Sequence, residues 1–172
     1  MNQVSTADWV KQTVERYEGP LTIYAARLLT GDVDRARDVV QDTFLRLWQA
    51  DRESVEGHLA KWLYTVCRNR AFDVHRKEHR MTTVEARQMD QTTSSEPSRE
   101  DPPDTLVALV DALPPRQQEA VRLKFQGGLS YREIAEVMDT TVNNVGVLLH
   151  TAVGSIRAKL TDHDSHAMRA AP

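Results

Sequence analysis

The apolar residues of the first part of the chain recur at spacings of three and four, which is the period of an amphipathic α-helix. The clearest set follows Asp32 and comprises Val33, Ala36, Val39, Val40, Phe44, Leu47 and Trp48. A second set follows the charged stretch DRESVEG, which is expected to be a loop, and comprises Leu59, Trp62, Leu63, Val66 and Val74. Each set predicts a helix that buries one face and leaves the opposite face available.

Capping residues and helix breakers divide this part of the chain into four predicted helices. Ser5 or Thr6 can cap the first helix through a side-chain oxygen. The Gly19-Pro20 pair is expected to end that helix, with the proline in the first turn of the next one. The second helix is predicted to stop at Gly31, and Asp32 is predicted to cap the third.

After a polar stretch, the apolar pattern returns at Leu106 and predicts four more helices. Their boundary signals are, in chain order, Pro114-Pro115, Gly127-Gly128, the capping-box pair Ser130 and Glu133, and Thr140 or Thr141. No segment shows the alternation of apolar and polar residues between turn signals that a half-buried strand requires. The sequence therefore predicts an all-α protein.

The stretch between the two apolar blocks is rich in Ser, Thr, Pro and acidic residues and contains no aromatic residue. Such a composition cannot bury a core, and its prolines favour extended conformations. We therefore expect two small helical domains joined by a flexible tether. The predicted divisions are a first domain at 1–80, a flexible linker at 81–104, a second domain at 105–162 and a disordered tail at 163–172.

Composition narrows the class of protein further. The 172 residues carry a formal net charge of −3 and one cysteine, Cys67, which excludes an internal disulfide and a CxxC zinc site. No apolar run approaches the roughly 20 residues of a membrane span, and the N-terminus lacks the pattern of a secretory leader, so we expect a cytoplasmic protein without a membrane partner. Basic residues outnumber acidic ones between Lys61 and Arg80, which makes local charge more informative than the total.

Three stretches resemble, in order, regions 2.2, 2.3 to 2.4, and 4 of the extracytoplasmic-function sigma factors of bacterial RNA polymerase. They read LLTGDVDRARDVVQDTFLRLWQA, WLYTVCRNRAFDVHRK and LPPRQQEAVRLKFQGGLSYREIAEVM. The resemblance implies a transcription initiation factor with no enzymatic activity and no cofactor. Its partners would be the clamp helices and flap of the polymerase core, promoter DNA and an anti-sigma factor that regulates it.

The resemblance also implies which residues of the first domain bind these partners. A polar patch on the third helix would contact the clamp helices: Asp38, Gln41, Asp42, Leu45 and Arg46. A solvated helix face is the alternative, because exposed charges at this spacing are common. Basic and aromatic residues of the fourth helix would hold the minus-ten strand by its phosphates and bases: Lys61, Tyr64, Arg68, Asn69, Phe72, Arg76, Lys77 and Arg80. Trp62 is instead expected in the core.

The last predicted helix differs from the usual DNA-reading helix of the family, because no Lys or Arg stands between Thr141 and Arg157. Its buried stripe is expected at Val145, Leu149, Ala152, Ile156 and Leu160. The residues left to contact the minus-35 element are Tyr131, Arg132, Thr141, Asn143, Asn144, Val147, His150 and Arg157, with Arg122 as a further backbone contact. Fewer phosphate contacts imply binding that is weaker and less dependent on salt.

Other functions are weighed against this one. The second domain could serve mainly as a protein-docking module, with Val147, Leu148 and His150 as its contact surface. The segment HRKEH, residues 75–79, matches the H-x-x-E-H pattern of inverted zinc peptidases, but the surrounding basic side chains would oppose a divalent cation, so no metal site is predicted. A two-component or quorum-type regulator is disfavoured, because the first block has no receiver-like strand pattern.

Overall fold

The computed structural model describes the backbone of residues 5–85 and 105–169 and the side chains of residues 5–77 and 106–161. Within these ranges the chain forms eight α-helices and no strand, which confirms the predicted all-α class. The chain divides into two compact units, Met1–Ser98 and Arg99–Pro172. In the described ranges, no helix has the combination of length and apolar character that crossing a bilayer requires.

The first unit is a bundle of three long helices with one short helix. The long helices α1 (Thr6–Leu28), α2 (Val33–Gln49) and α4 (Leu59–Glu85) pack against one another, and the short α3 (Arg52–Glu56) lies against α4. Fully buried side chains from all three long helices form the core: Leu21, Tyr24, Leu47, Leu63 and Tyr64. Burial of each such apolar side chain stabilises the fold by roughly 1.5–3 kcal/mol.

The Gly19-Pro20 pair does not end α1, so the prediction of two helices in this stretch is wrong. An interior proline destabilises a helix by about 3 kcal/mol, because it removes a backbone hydrogen bond and crowds the preceding turn. The buried residues Tyr17, Leu21 and Tyr24 keep a spacing of three and four across the pair. One face of α1 therefore stays packed on α2 and α4 only if the helix continues, and tertiary packing outweighs the local signal.

The predicted caps of the first unit are confirmed. Ser5 Oγ accepts a hydrogen bond from the backbone N–H of Asp8, and the Asp32 carboxylate accepts one from the backbone N–H of Arg35. Gly31 has a φ of +92°, a left-handed conformation that glycine adopts without strain. This turn separates α1 from α2 at the predicted place.

Two other boundaries differ from the predictions. The charged stretch expected to be a loop contains α3, in which Arg52 pairs with Glu56 at 2.7 Å and Val55 is buried. Burial of that one apolar side chain, together with the ion pair one turn apart, favours helix over loop. Helix α4 continues to Glu85, past the predicted linker start at residue 81, because no Pro or Gly interrupts it. Residues 86–104 lie outside the described part of the chain.

The second unit contains α5 (Thr105–Asp111), α6 (Pro115–Phe125), α7 (Tyr131–Val137) and α8 (Val142–Arg169). Helices α5, α6 and α7 all pack on α8, and α7 with α8 forms a helix-turn-helix. The core is made of buried side chains from α6 to α8, among them Leu123, Leu129, Ile134, Val145 and Leu149.

The predicted start of α7 is confirmed as a capping box. Ser130 Oγ accepts from the backbone N–H of Glu133 at 3.2 Å, and Glu133 Oε2 accepts from the backbone N–H of Ser130 at 2.8 Å. Thr141 caps α8, since its Oγ1 accepts from the backbone N–H of Asn144 at 3.2 Å. Gly128 has a φ of +66°, so the turn between α6 and α7 favours glycine there.

The predicted disordered tail at 163–172 differs from the structure over 163–169. There the backbone of α8 continues as a helix to Arg169. The stretch after Leu160 contains no Pro or Gly until the final residue of the chain, so nothing in it breaks a helix already started. Residues 170–172 lie outside the described part.

Burial raises the pKa of the Cys67 thiol from 9.0 to about 12, an effect that a hydrogen bond with Thr43 opposes only partly. The native protein should therefore react very slowly with a thiol reagent at pH 8, and quickly once denatured. Because the folded pKa lies above the unfolded one, stability contributed by the neutral thiol is complete below pH 9.0 and is lost as the pH rises toward 12. Fast labelling of the native chain would contradict this placement.

Candidate functional site

The polar patch predicted on α2 lies on the outer side of that helix. Asp42 is half-exposed, and the other four members are exposed: Asp38, Gln41, Leu45 and Arg46. The opposite side of α2 is buried against α1 and α4. We call these five residues the α2 face.

Trp48 does not belong to the buried stripe of α2, contrary to the prediction. Its side chain is 55% exposed, as is that of Leu45 one turn earlier. Thr43 occupies an interior position of the helix, where its hydroxyl donates to the backbone oxygen of Val39 at 2.8 Å and so leaves no unpaired polar atom. The α2 face thus continues past Arg46 to an exposed aromatic ring.

Asp42 is joined to α4 by an ion pair that the sequence did not predict. Arg70 Nε donates to Asp42 Oδ2 at 2.6 Å, and the two side chains are 38% and 40% exposed. The residues are 28 positions apart, so no local spacing rule could pair them. They border a cleft between α2 and α4, and its full lining is Arg35, Asp38, Val39, Asp42, Arg70 and Val74.

Basic and aromatic side chains meet on the outer side of α4. The Arg68 guanidinium carbon lies 4.6 Å from the centre of the Phe72 ring, a cation–π contact, and Phe72 is 38% exposed. Arg76 pairs with Asp73 one turn earlier. We call five of the predicted residues the α4 basic face: Lys61, Arg68, Asn69, Phe72 and Arg76. Of these, Lys61 and Arg68 are half-buried and the rest exposed. Lys77 is exposed as well, but it stands about two and a half turns after Arg68 and so lies on the opposite side of the helix.

Tyr64 does not lie on the α4 basic face, so its predicted contact with DNA is wrong for this conformation. The side chain is 0% exposed, and its ring packs edge-on against that of Tyr24 with 5.1 Å between the centres. The helical position of Tyr64 points it at α1, where an aromatic pair stabilises the core. Arg80, the last residue predicted for this surface, has its side chain outside the described part.

The predicted reading residues of α8 lie on its outer side. Asn143, Val147, His150 and Arg157 are exposed, whereas Val145, Leu149 and Ala152 are buried as predicted. Ile156 is half-buried and Leu160 is 37% exposed, so the buried stripe fades toward the end of the helix. We call Thr141, Asn143, Val147, His150 and Arg157 the α8 face.

Asn144 is held by the turn that precedes α8. Its side-chain amide donates to Thr140 Oγ1 at 2.9 Å, and its backbone N–H donates to Thr141 Oγ1. The side chain is half-buried, unlike that of its neighbour Asn143. Of the two asparagines predicted to read bases, Asn143 is therefore the one oriented outward in this structure.

Tyr131, the first residue of α7, lies close to Lys124 of α6 and to the first turns of α8. Lys124 Nζ is 5.5 Å from the centre of its ring, and Arg132 follows it in sequence and pairs with Glu136 at 3.6 Å. A Cβ atom built on Gly146 would be 4.0 Å from the Tyr131 ring. Lys124 was not among the predicted site residues, because only the fold brings α6 close to Tyr131.

Arg122 cannot serve as the further backbone contact that the sequence suggested. It is 4% exposed and its Nη2 donates to Asp111 Oδ1 at 2.6 Å, which ties α6 to α5. A buried arginine with a carboxylate partner has a structural role here. Lys124, Arg132 and Arg157 are among the basic residues of this unit whose side chains are not buried.

The H-x-x-E-H segment gains no support as a metal site. His75 is exposed, and the side chains of Glu78 and His79 lie outside the described part of α4. Among the residues whose side chains are described, no group of three or more His, Cys, Asp or Glu could hold a metal ion.

Both units of the chain match models of known protein families. Residues 13–81 match the family model for sigma-70 region 2, and residues 104–156 match that for sigma-70 region 4. The chain is 33% identical over 149 residues to the ECF RNA polymerase sigma factor SigL of Mycobacterium tuberculosis, covering 81% of each protein.

Two solved structures share the fold. One is the sigma factor RpoE in complex with the anti-sigma factor NepR from Bartonella quintana, at 24% identity and a TM-score of 0.65, covering 88% of this chain and 96% of that one. The other is CnrH in complex with the cytosolic domain of CnrY, at 21% identity and a TM-score of 0.54, covering 89% and 88%.

The contrast between Tyr64 and Phe72 gives a test of the site. Tyr64→Ala should destabilise the first unit by about 3–5 kcal/mol, because it opens a cavity in the core. Phe72→Ala should leave the unfolding free energy nearly unchanged and weaken binding of a single-stranded minus-ten oligonucleotide about fivefold or more, since stacking contributes roughly 1–3 kcal/mol per base. Chemical denaturation and fluorescence anisotropy measure the two effects. Loss of stability in both variants, with unchanged DNA affinity for Phe72→Ala, would remove Phe72 from the site.

Proposed function

This chain belongs to the extracytoplasmic-function sigma factors, non-enzymatic initiation factors that direct bacterial RNA polymerase to promoters through regions 2 and 4, and we propose that the α4 basic face captures the minus-ten strand. The observation that carries this proposal is the Arg68–Phe72 contact on the outer side of α4. One guanidinium and one half-exposed ring stand together there, so a phosphate and a neighbouring base can be bound at the same place. Asn69, exposed beside them, can hydrogen-bond a base edge.

The α2 face is proposed to bind the clamp helices of the polymerase core. Its helix buries the opposite stripe, so the face is a rigid surface presented by the bundle. It combines charged side chains with exposed Leu45, and Trp48 extends it with a large apolar group of the kind that dominates protein interfaces. In this proposal the unit that ends with α4 at Glu85 binds the core and the minus-ten strand, and the unit that begins with α5 at Thr105 binds the minus-35 element.

The α8 face is proposed to read the minus-35 element weakly. Asn143 can pair with an adenine edge and Val147, 56% exposed, can contact a thymine methyl group. Tyr131, Lys124 and Arg132 can supply backbone contacts from the same side of the unit. Because the helix itself lacks basic residues before Arg157, fewer counterions are released on binding than for a basic reading helix.

A second candidate role for this unit is protein docking, in which the α8 face would contact the polymerase flap or a regulator. The observation that favours it is the neutral surface with exposed Val142 and Val147, since apolar groups on a helix can mark a partner contact.

Regulation by an anti-sigma factor is also proposed for this chain. Its support is the fold shared with RpoE in the RpoE–NepR complex. We also propose that the chain acts in the cytoplasm, where bacterial RNA polymerase transcribes.

Charge reversal tests the minus-ten proposal. Arg68→Glu/Arg76→Glu should lower transcription from a purified polymerase by at least tenfold, because two cations that hold phosphates become anions. Start-site transcripts from core polymerase reconstituted with each variant give the measurement. The control is Lys11→Glu/Arg16→Glu, which makes the same change of charge on exposed positions of α1. Transcription that is unchanged by the first pair, in a protein that still folds and binds core, would overturn the proposal.

The two roles of the α8 face give different results for Asn143→Ala/Val147→Ala. If the face reads bases, the variant holoenzyme should lose about tenfold or more of its preference for a promoter with the correct minus-35 element over one with a scrambled element. If the face only docks on protein, that preference was small to begin with and stays the same, while affinity for core falls. Competition between the two promoters, at two salt concentrations, separates these results.

A further inference from the structure

The geometry points to Arg70 as a positioning residue of the polymerase-binding site, not as a contact to DNA. This inference rests on the proposed role of the α2 face, and it adds a residue from a second helix to that site. By sequence alone Arg70 belongs with the basic residues of α4, two positions from Arg68. The structure separates the two.

The Arg70 side chain points away from the α4 basic face and toward α2. Two positions along an α-helix correspond to a rotation of roughly 200°, so Arg70 leaves α4 on nearly the opposite side from Arg68. Its Nε donates to Asp42 Oδ2 at 2.6 Å, and its neighbours across the cleft are residues of α2. Arg68, in contrast, lies over the Phe72 ring on the α4 basic face.

The ion pair has a consequence for the α2 face. A donor at Oδ2 holds the Asp42 carboxylate in one orientation, while the half-exposed side chain leaves room for a polymerase group to approach it. The ion pair joins two helices, whereas the pairs Asp34–Arg37 and Arg52–Glu56 lie within one helix. Arg70 therefore fixes a side chain of the α2 face from outside that face.

Fixing a side chain before binding raises affinity, because the freedom of that side chain is lost already in the free protein. The expected gain is about two- to tenfold in affinity for one immobilised side chain. A half-exposed ion pair adds little to the stability of the bundle by itself. The effect of Arg70 should thus appear in polymerase binding more than in folding.

The test measures the affinity of the full chain for core polymerase, without DNA, at one salt concentration. Arg70→Ala should weaken binding about two- to tenfold, and Arg70→Lys should retain part of the affinity, because a lysine can still pair with Asp42. Asp42→Ala should weaken binding at least as much, and Arg70→Ala should have no further effect in that background. Arg52→Ala is the control, since it removes an ion pair of similar length, 2.7 Å, from α3, together with a cation–π contact to Trp9.

Binding to a single-stranded minus-ten oligonucleotide gives the opposing readout. Arg70→Ala should leave the DNA affinity and its salt dependence unchanged, whereas Arg68→Ala should reduce both. A loss of DNA affinity with unchanged polymerase affinity for Arg70→Ala would overturn the inference and make Arg70 a phosphate contact. The inference would also be overturned if Arg70→Ala lowered polymerase affinity by the same factor in the wild-type protein and in the Asp42→Ala variant. If Asp42→Ala and Asp38→Ala both leave polymerase binding intact, the proposed role of the α2 face fails instead.

Discussion

The packing of α2 between α1 and α4 determines which side chains of the first unit can reach a partner. The interior stripe of α2 is in contact with both neighbours, so the residues on its other side are held outward as a fixed set. The same contacts orient α4, whose inner residues Leu63, Tyr64 and Cys67 are buried and whose outer residues form the basic face. The surfaces proposed to bind polymerase and DNA therefore depend on one core, and the Asp42–Arg70 ion pair links the two helices at its edge.

Periodicity predicted the helices well and their limits less well. The caps at Ser5, Asp32 and Ser130 follow from local hydrogen bonds, which a sequence of a few residues specifies completely. The continuation of α1 through Pro20 cannot be predicted from a few neighbouring residues, because it depends on apolar contacts with residues of other helices. The short α3 was missed because one buried valine in a charged stretch gives no period to detect.

The candidate sites show the same division. The outward residues of α2 and α8 follow from the helical period, but which of several aromatic residues is buried depends on the neighbouring helix. Tyr64 packs on Tyr24 and is lost to the site, whereas Phe72 and Trp48 remain exposed. Arg70 and Lys124 acquire their neighbours only through the fold, since Asp42 and Tyr131 stand on other helices.

The two units thus differ in how much charge supports their proposed DNA contacts, with a basic face on α4 and a nearly neutral one on α8. Photo-crosslinking from position 72 shows whether the α4 basic face captures the promoter strand. A photoreactive phenylalanine analogue is placed at position 72, or at 64 as the buried control, and the reconstituted holoenzyme is irradiated in its open complex. If the α4 basic face captures the strand, position 72 crosslinks to one strand of the minus-ten element and position 64 does not. Efficient transcription by the position 72 protein without any crosslink to DNA would contradict this proposal.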